Sequence, residues 1–348
     1  MEKHHLSEFM IAAPTENQAQ AITRLTALWA LNECGLGGLM FALKIPLTGF
    51  FVGGFAVVLI GLIASYSQSR AKDLLKATVL VLIVKATVSP HAPPPAYLAV
   101  AFQGLLGALL YSNIRNVTLA AMLLAPLAML ESAAQKLIVL TLIYGNPLWK
   151  ALNRLFESIT HDFSLPGHLP FSYWIISLYL LVHVVWGLFV GYYSAGLPAR
   201  IGRHTGEVLL FYDTYRPAAD AVVAPVVKRR HYGRMAMLVL LLGLIVLVLF
   251  GEGRFRNNMI LYVILRSLAM VILLFYVLRP LLNRLIRYWL QSRDKGTRQE
   301  AAELIGMLPG LRRFVRPSWK LARKRRGLLR QLSFFILSLI VLSLHEET

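Results

Sequence analysis

The stretch NVTLAAMLLAPLAMLESAAQKLIVLTLIYG, residues 116–145, decides the fold class of this chain. Its apolar run is longer than the ~20 residues that an α-helix needs to cross a bilayer. Three polar residues interrupt the run near its centre: Glu131, Gln135 and Lys136. A charge at that depth costs roughly 2.5–3.5 kcal/mol, so we expect a polar neighbour or a wet cavity beside it.

Glu131 and Gln135 are four residues apart and therefore share one face of the predicted helix. Two interpretations stay open for such intramembrane polar residues. They line a cavity that faces a ligand, or they form a buried ion pair or an interhelical hydrogen bond that only keeps the helices in register.

The composition is that of an integral membrane protein built from helices. The chain has 348 residues, of which 57% are hydrophobic and 15% charged, and its mean hydropathy is +0.60. A soluble domain would carry about 25% charged residues. The apolar runs are too continuous for the alternating strands of a membrane barrel. A single cysteine, Cys34, excludes a disulfide framework, and we expect no removable signal at the N-terminus.

Hydropathy predicts an all-α, polytopic fold with about nine transmembrane helices and two or three amphipathic cytoplasmic helices before the last, short span. The predicted spans are 21–43, 47–65, 74–88, 96–111, 117–143, 173–195, 235–250, 258–278 and 332–344. The predicted segments are a cytoplasmic N-terminal segment (1–20), a six-helix membrane domain (21–195), a basic cytoplasmic linker (196–234) and a C-terminal membrane hairpin (235–348), whose amphipathic helices occupy 279–331, the last of them at 317–332.

The net charge of +19 is unevenly placed. Residues 1–170 hold 11 Lys and Arg against 8 Asp and Glu, a balance of +3, which leaves +16 for the rest. Basic residues in alternate loops usually mark the cytoplasmic side. We therefore expect a multi-pass protein of the bacterial inner membrane with a cytoplasmic N-terminus, and no nucleic-acid partner. The basic region 279–330 is expected to lie on anionic membrane lipid or to dock a cytoplasmic partner.

Polar residues inside the predicted spans of the first half suggest a substrate-binding pocket. They come from four helices and include both signs of charge, as a polar pocket in a helical bundle requires. A plainer interpretation is that Glu33 pairs with Lys85 and that the neighbouring glycines serve packing. The candidate substrate-binding residues are Asn32, Glu33, Lys85, Gln103, Glu131, Gln135 and Lys136.

Catalytic and metal-binding motifs are not found in the sequence. It contains no GxSxG, HExxH or GxxxxGK[ST] motif, and no His, Cys or carboxylate set has the spacing of metal ligands. We therefore expect no enzymatic activity, no cofactor, no metal and no ATP site of the chain's own.

Two parts of the chain resemble components of the energy-coupling factor (ECF) class of vitamin importers. Residues 21–195 resemble a substrate-binding S component in their span count and in the segment KIPLTGFFVGGFAVVLIGLIA, residues 44–64. Residues 235–344 resemble the end of a T component, in which long coupling helices precede a final span. Ala322-Arg323 in KLARKRRG and Ser292-Arg293 in LQSRDKG stand where that component carries its Ala-Arg motifs.

The resemblance implies a subunit that imports a small water-soluble solute and is driven by separate cytoplasmic ATPases. It also implies that these ATPases dock at Arg293, Ala322 and Arg323. An alternative is a non-transporting inner-membrane scaffold, whose basic helices recruit a partner or anionic lipid. A membrane-embedded enzyme that uses Glu131 as acid or base is a third possibility, without a second catalytic group beside it.

Overall fold

The computed structural model describes residues 15–43, 47–89, 92–163, 171–215, 259–273 and 295–345, with a few positions between 277 and 288. Within these residues every regular element is a helix, so the all-α prediction is confirmed there. The predicted seventh span, the linker beyond residue 215, most of the first amphipathic helix and Arg293 lie outside the described residues.

The described helices are numbered here in chain order. Between α1 and α2 the chain forms a π-helical turn, Asn32–Leu36, so the helix continues from one into the other. The helices are α1 Thr15–Leu31, α2 Gly37–Ala42, α3 Thr48–Tyr66, α4 Arg70–Val88, α5 Pro94–Asn113, α6 Val117–Tyr144, α7 Asn146–Phe163, α8 Phe171–Tyr215, α9 Met259–Ile272, α10 Lys295–Arg313, α11 Val315–Ala322 and α12 Leu328–Leu344.

Four of the described helices are long and apolar enough to cross a membrane: α3, α5, α6 and α8. Helix α12 is apolar but shorter. These helices support a membrane-associated protein, and the number of nine spans stays a prediction.

The chain divides into two compact units. The first contains the described residues of Met1–Leu130, His183–Ala218 and Trp289–Thr348. In this unit α1 packs against α3, α4, α10 and α12, and α4 packs most extensively against α5. Leu25 and Trp29 of α1 and Ile60 of α3 are fully buried in its apolar core.

The second unit contains the described residues of Glu131–Val182 and Ala219–Tyr288. In it the Phe156 ring of α7 stacks on Phe171 at the start of α8, with the ring centroids 3.7 Å apart. Asn153 accepts a hydrogen bond at its Oδ1 from the backbone N–H of Ser172, 2.8 Å away. These two contacts connect α7 to the beginning of α8.

Helix α8 is longer than the sixth span that hydropathy predicts. The span was expected to end at Ala195, but α8 continues to Tyr215 with Pro198 inside it, so residues 196–215 of the predicted linker are helical. Its 45 residues reach about 68 Å, roughly twice the hydrocarbon thickness of a bilayer. Leu197, Ile201 and Val208 are buried along this extension, and their packing explains why a polar segment stays helical.

The last predicted amphipathic helix, 317–332, is divided in two. Helix α11 ends at Ala322 and α12 begins at Leu328. Between them Gly327 has a φ of 92°, a left-handed conformation that glycine adopts without steric cost. The prediction of one continuous helix is wrong at this turn.

Candidate functional site

Glu33 and Lys85 form a buried ion pair in the first unit. The Nζ atom of Lys85 lies 2.6 Å from Oε2 of Glu33, and the two side chains are only 4% and 6% exposed. Lys85 also donates a hydrogen bond to the carbonyl oxygen of Ala96 at 3.0 Å. Because charges so far from water need partners, this pairing is what allows both residues to be buried. The predicted pair is therefore confirmed.

The acid of this pair belongs to the π-helical turn Asn32–Leu36. Such a turn inserts one residue into an α-helix and is frequent at functional sites. It ends at Gly37, whose backbone N–H donates to the carbonyl of Asn32. Both Asn32 and Glu33 are buried. The hydrophobic pattern of the sequence does not reveal a single inserted residue, so the turn was not predicted.

Side chains of neighbouring helices converge on the first turns of α3. The Asn32 Nδ2 group donates to the carbonyl of Val52 at 2.9 Å, and Nε1 of Trp186 donates to the carbonyl of Phe50 at 3.0 Å. Gln103 lies against Gly53, where a Cβ atom would be 3.1 Å from the Gln103 Nε2. A larger residue at position 53 would therefore require the Gln103 amide to move by a few tenths of an ångström.

Three buried polar atoms of the first unit have no hydrogen-bond partner among the residues that the structure describes: Asn32 Oδ1, Gln103 Oε1 and Trp29 Nε1. Asn32 and Gln103 are 3% and 2% exposed. Buried polar groups are normally hydrogen-bonded, and leaving one unsatisfied costs roughly 1–3 kcal/mol. Two acceptors and one donor are thus buried without a hydrogen bond to the described part of the protein.

The polar residues of α6 lie in the second unit and interact with each other. Gln135 donates a hydrogen bond from its Nε2 to Oε1 of Glu131, which confirms that they share one face. The second carboxylate oxygen of Glu131 is buried and has no partner in the described part of the chain, and Lys136 is exposed. The predicted site residues therefore form two groups: Asn32, Glu33, Lys85 and Gln103 in the first unit, and Glu131 with Gln135 in the second.

A cavity of about 470 Å³ lies between α1, α4 and α10, away from the ion pair along both α1 and α4. Lys76 of α4 bridges to Glu300 of α10 at its edge, with 2.7 Å between Nζ and Oε1. The sequence does not predict this cavity, because the residues that line it are far apart in the chain. Its polar lining consists of Gln18, Thr23, Thr26, Tyr66, Gln68, Ser69, Asp73, Lys76, Glu300 and Glu303.

The residues of the predicted docking motifs differ in accessibility. Ala322 is fully buried, Arg323 is exposed, and Arg293 lies outside the described residues.

Within the part of the chain that the structure describes, no cluster of His, Cys, Asp and Glu could hold a metal ion. Comparison of the chain with protein-family models, with curated proteins and with solved structures finds no match.

Proposed function

We propose that the chain is the membrane subunit of an ECF-like importer for a small water-soluble solute, such as a vitamin or a related metabolite. In this proposal it lies in a bacterial inner membrane with a cytoplasmic N-terminus, and separate ATPases drive it. The observation that carries the proposal is the position of two helices. Helices α1 and α4 both contact α10 near their beginnings. At the other end, Glu33 in the π-helical turn after α1 pairs with Lys85 in the last turn of α4.

The attachment of α10 is mainly apolar. Its buried residues are 1–3% exposed and recur at helical spacing on one face, and the helix packs against α1 and α4. A displacement of α10 by a cytoplasmic ATPase would therefore be passed to both helices. These buried residues are Ala301, Leu304, Leu308 and Leu311.

The other end of α1 and α4 supplies the proposed solute contacts. Lys85 follows Lys76 by nine residues, about 13 Å along α4 at 1.5 Å per residue. A shift of α4 against α1 would strain the ion pair and expose its charges to a solute. The free acceptors of Asn32 and Gln103 would receive hydrogen bonds from the same solute.

Thermal unfolding of the purified chain with a panel of vitamins and metabolites tests this proposal. A ligand at 100 times its dissociation constant stabilises the folded state by about 2.7 kcal/mol, so a true solute should raise the Tm clearly. We expect Gln103→Leu to remove this shift, and Asn113→Leu, an exposed amide on the same helix, to retain it. The proposal is contradicted if no solute stabilises the chain and no ATPase co-purifies with it.

A non-transporting scaffold is the second candidate function. The ion pair of Glu33 and Lys85 is already satisfied without a solute, and Gln135 satisfies part of Glu131. Both observations agree with a static bundle. Pull-down from native membranes separates the two candidates, because a scaffold would co-purify with a partner other than an ATPase and would show no solute-dependent stabilisation.

A further inference from the structure

Helix α11 has one buried and one exposed face. Phe314, just before it, and Pro317, Ser318, Leu321 and Ala322 are buried, and the remaining residues point outward. The spacing of both sets is that of a helix with one side against the protein. We call the outward side the α11 face; it consists of Val315, Arg316, Trp319, Lys320 and Arg323.

The chain around the α11 face is strongly basic. Residues 312–330 contain no acid, and Arg325 forms an ion pair with Glu207 of α8 at 2.6 Å. Arg323 and Arg326 are exposed and form no ion pair with a described residue. The basic residues of this segment are Arg312, Arg313, Arg316, Lys320, Arg323, Lys324, Arg325, Arg326 and Arg330.

Aromatic rings of α8 hold part of this charge in place. The ammonium of Lys320 lies 4.3 Å from the ring centroid of Tyr215, and that of Lys324 lies 4.4 Å from that of Phe211. Such cation–π contacts fix the lysines without neutralising them. The two lysines are therefore held in place and keep their positive charge.

Exposed apolar side chains accompany the charges. Trp319 is 42% exposed, Leu328 72% and Leu329 63%. Trp319 also contacts Phe335 of α12 edge-on, with 5.7 Å between ring centroids. The two leucines form the first turn of this apolar helix, with five residues, 323–327, between it and the end of α11.

Lys and Arg side by side with Trp and Leu are typical of helices that lie at a membrane surface. The basic groups attract anionic headgroups, and the apolar groups bury in the interfacial layer. An acidic soluble protein would satisfy the arginines, but it would not explain two exposed leucines at the start of an apolar helix.

We propose that the α11 face and the turn after it bind the phosphate headgroups of anionic phospholipids. Arg323 and Arg326 contact the phosphates, while Trp319, Leu328 and Leu329 enter the interfacial layer. This site goes beyond the import proposal and does not depend on it. It assigns Arg323 to lipid and not to an ATPase, so that in an importer the ATPases would act on the chain through α10.

Hydrogen–deuterium exchange of the full chain in nanodiscs tests the proposal. Nanodiscs of phosphatidylcholine are compared with nanodiscs that also contain phosphatidylglycerol. We expect slower exchange in residues 315–330 with phosphatidylglycerol. About 1 kcal/mol per basic residue corresponds to about a fivefold change in lipid affinity for each arginine, so Arg323→Gln with Arg326→Gln should lose most of the slowing that phosphatidylglycerol causes. The matched control, Lys150→Gln with Arg154→Gln, removes the same charge from exposed positions of α7 and should retain the protection.

Three results would overturn the proposal. Equal exchange in the two lipids would show that the headgroup charge is not recognised. The same protection by inorganic phosphate in phosphatidylcholine would assign the site to a free anion. Protection that requires an added protein partner would assign the face to protein docking. Unchanged thermal unfolding of the double variant in phosphatidylcholine verifies that it is folded.

Discussion

The guanidinium of Arg24 in α1 lies 2.6 Å from the carbonyl oxygen of Leu344, the last residue of α12. The two residues are 320 positions apart, and Arg24 is 9% exposed. The last carbonyls of a helix have no intrahelical partner, and the negative end of its dipole favours a cation. Arg24 therefore caps the C-terminus of α12 and holds this helix against α1.

Replacing Arg24 should loosen this attachment. Hydrogen bonds to charged groups contribute about 1.5–3 kcal/mol, so we expect Arg24→Gln to lower the free energy of unfolding by an amount in that range. Thermal unfolding in detergent measures it. Arg203→Gln, an exposed arginine on α8, is the control and should cost little. Equal losses in both variants would contradict a role for Arg24 at the end of α12.

The Glu33–Lys85 pair should behave as a coupled unit. Removing one partner leaves an uncompensated buried charge, which costs roughly 3–5 kcal/mol. We expect Glu33→Gln and Lys85→Met each to destabilise the protein by about that amount. The double variant should lose clearly less than the sum of the two. A double-mutant cycle in chemical unfolding measures the coupling, and strictly additive losses would show that the residues do not interact.

Two glycines of α8 bring its backbone close to that of α6. A Cβ atom at Gly187 would lie 2.5 Å from the Cα of Pro126, and one at Gly191 would lie 2.8 Å from the carbonyl oxygen of Ala121. Their four-residue spacing is the pattern that lets membrane helices approach closely. Because the obstacle is backbone, we expect Gly187→Ala to destabilise the fold by about 1–3 kcal/mol.

Gly202 provides the control for this substitution within the same helix. No atom of the described residues lies within 4 Å of a Cβ atom there, and Gly202 is exposed. Alanine favours a helix over glycine by about 1 kcal/mol, so Gly202→Ala should stabilise the protein slightly. If Gly187→Ala and Gly202→Ala shift the unfolding temperature in the same direction, the close approach of α6 and α8 is wrong.

The attachment of helix α10 to α1 and α4 should depend more on its buried apolar residues than on the ion pair of Lys76 with Glu300. Lys76 and Glu300 are 59% and 41% exposed, and exposed pairs contribute less than about 1 kcal/mol. Leu304 is 1% exposed, and its truncation to alanine should cost roughly 2–5 kcal/mol. Limited proteolysis within α10 should become faster in Leu304→Ala than in Lys76→Gln. The reverse order would mean that charge attaches α10.

The sequence predicts the ends of the apolar helices well and the contacts of the buried polar side chains only in part. Hydropathy placed α3 at 47–65 and α6 at 117–143, each within one residue of the observed ends, because uninterrupted apolar runs define such helices. It ends α8 at Ala195, because the extension contains Pro198 and charged residues that interrupt the apolar run, whereas its helical form is supported by packing. Pairing of Glu33 with Lys85 followed from opposite charges in separate spans. The close approach of Gln103 to Gly53 cannot be predicted from the sequence, because it depends on how α5 packs against α3.

Reactivity of Cys34 with a membrane-permeant maleimide tests the coupling of α10 to the ion pair most directly. Cys34 is the single cysteine of the chain, it is half-buried, and it follows Glu33 in the π-helical turn. If α10 holds α1 and α4 in place, Leu304→Ala should raise the labelling rate several-fold. Leu321→Ala, a buried residue of α11, is the control for a general loss of stability and should leave the rate near that of the unaltered chain. Equal rates in the two variants would contradict the coupling on which the import proposal depends.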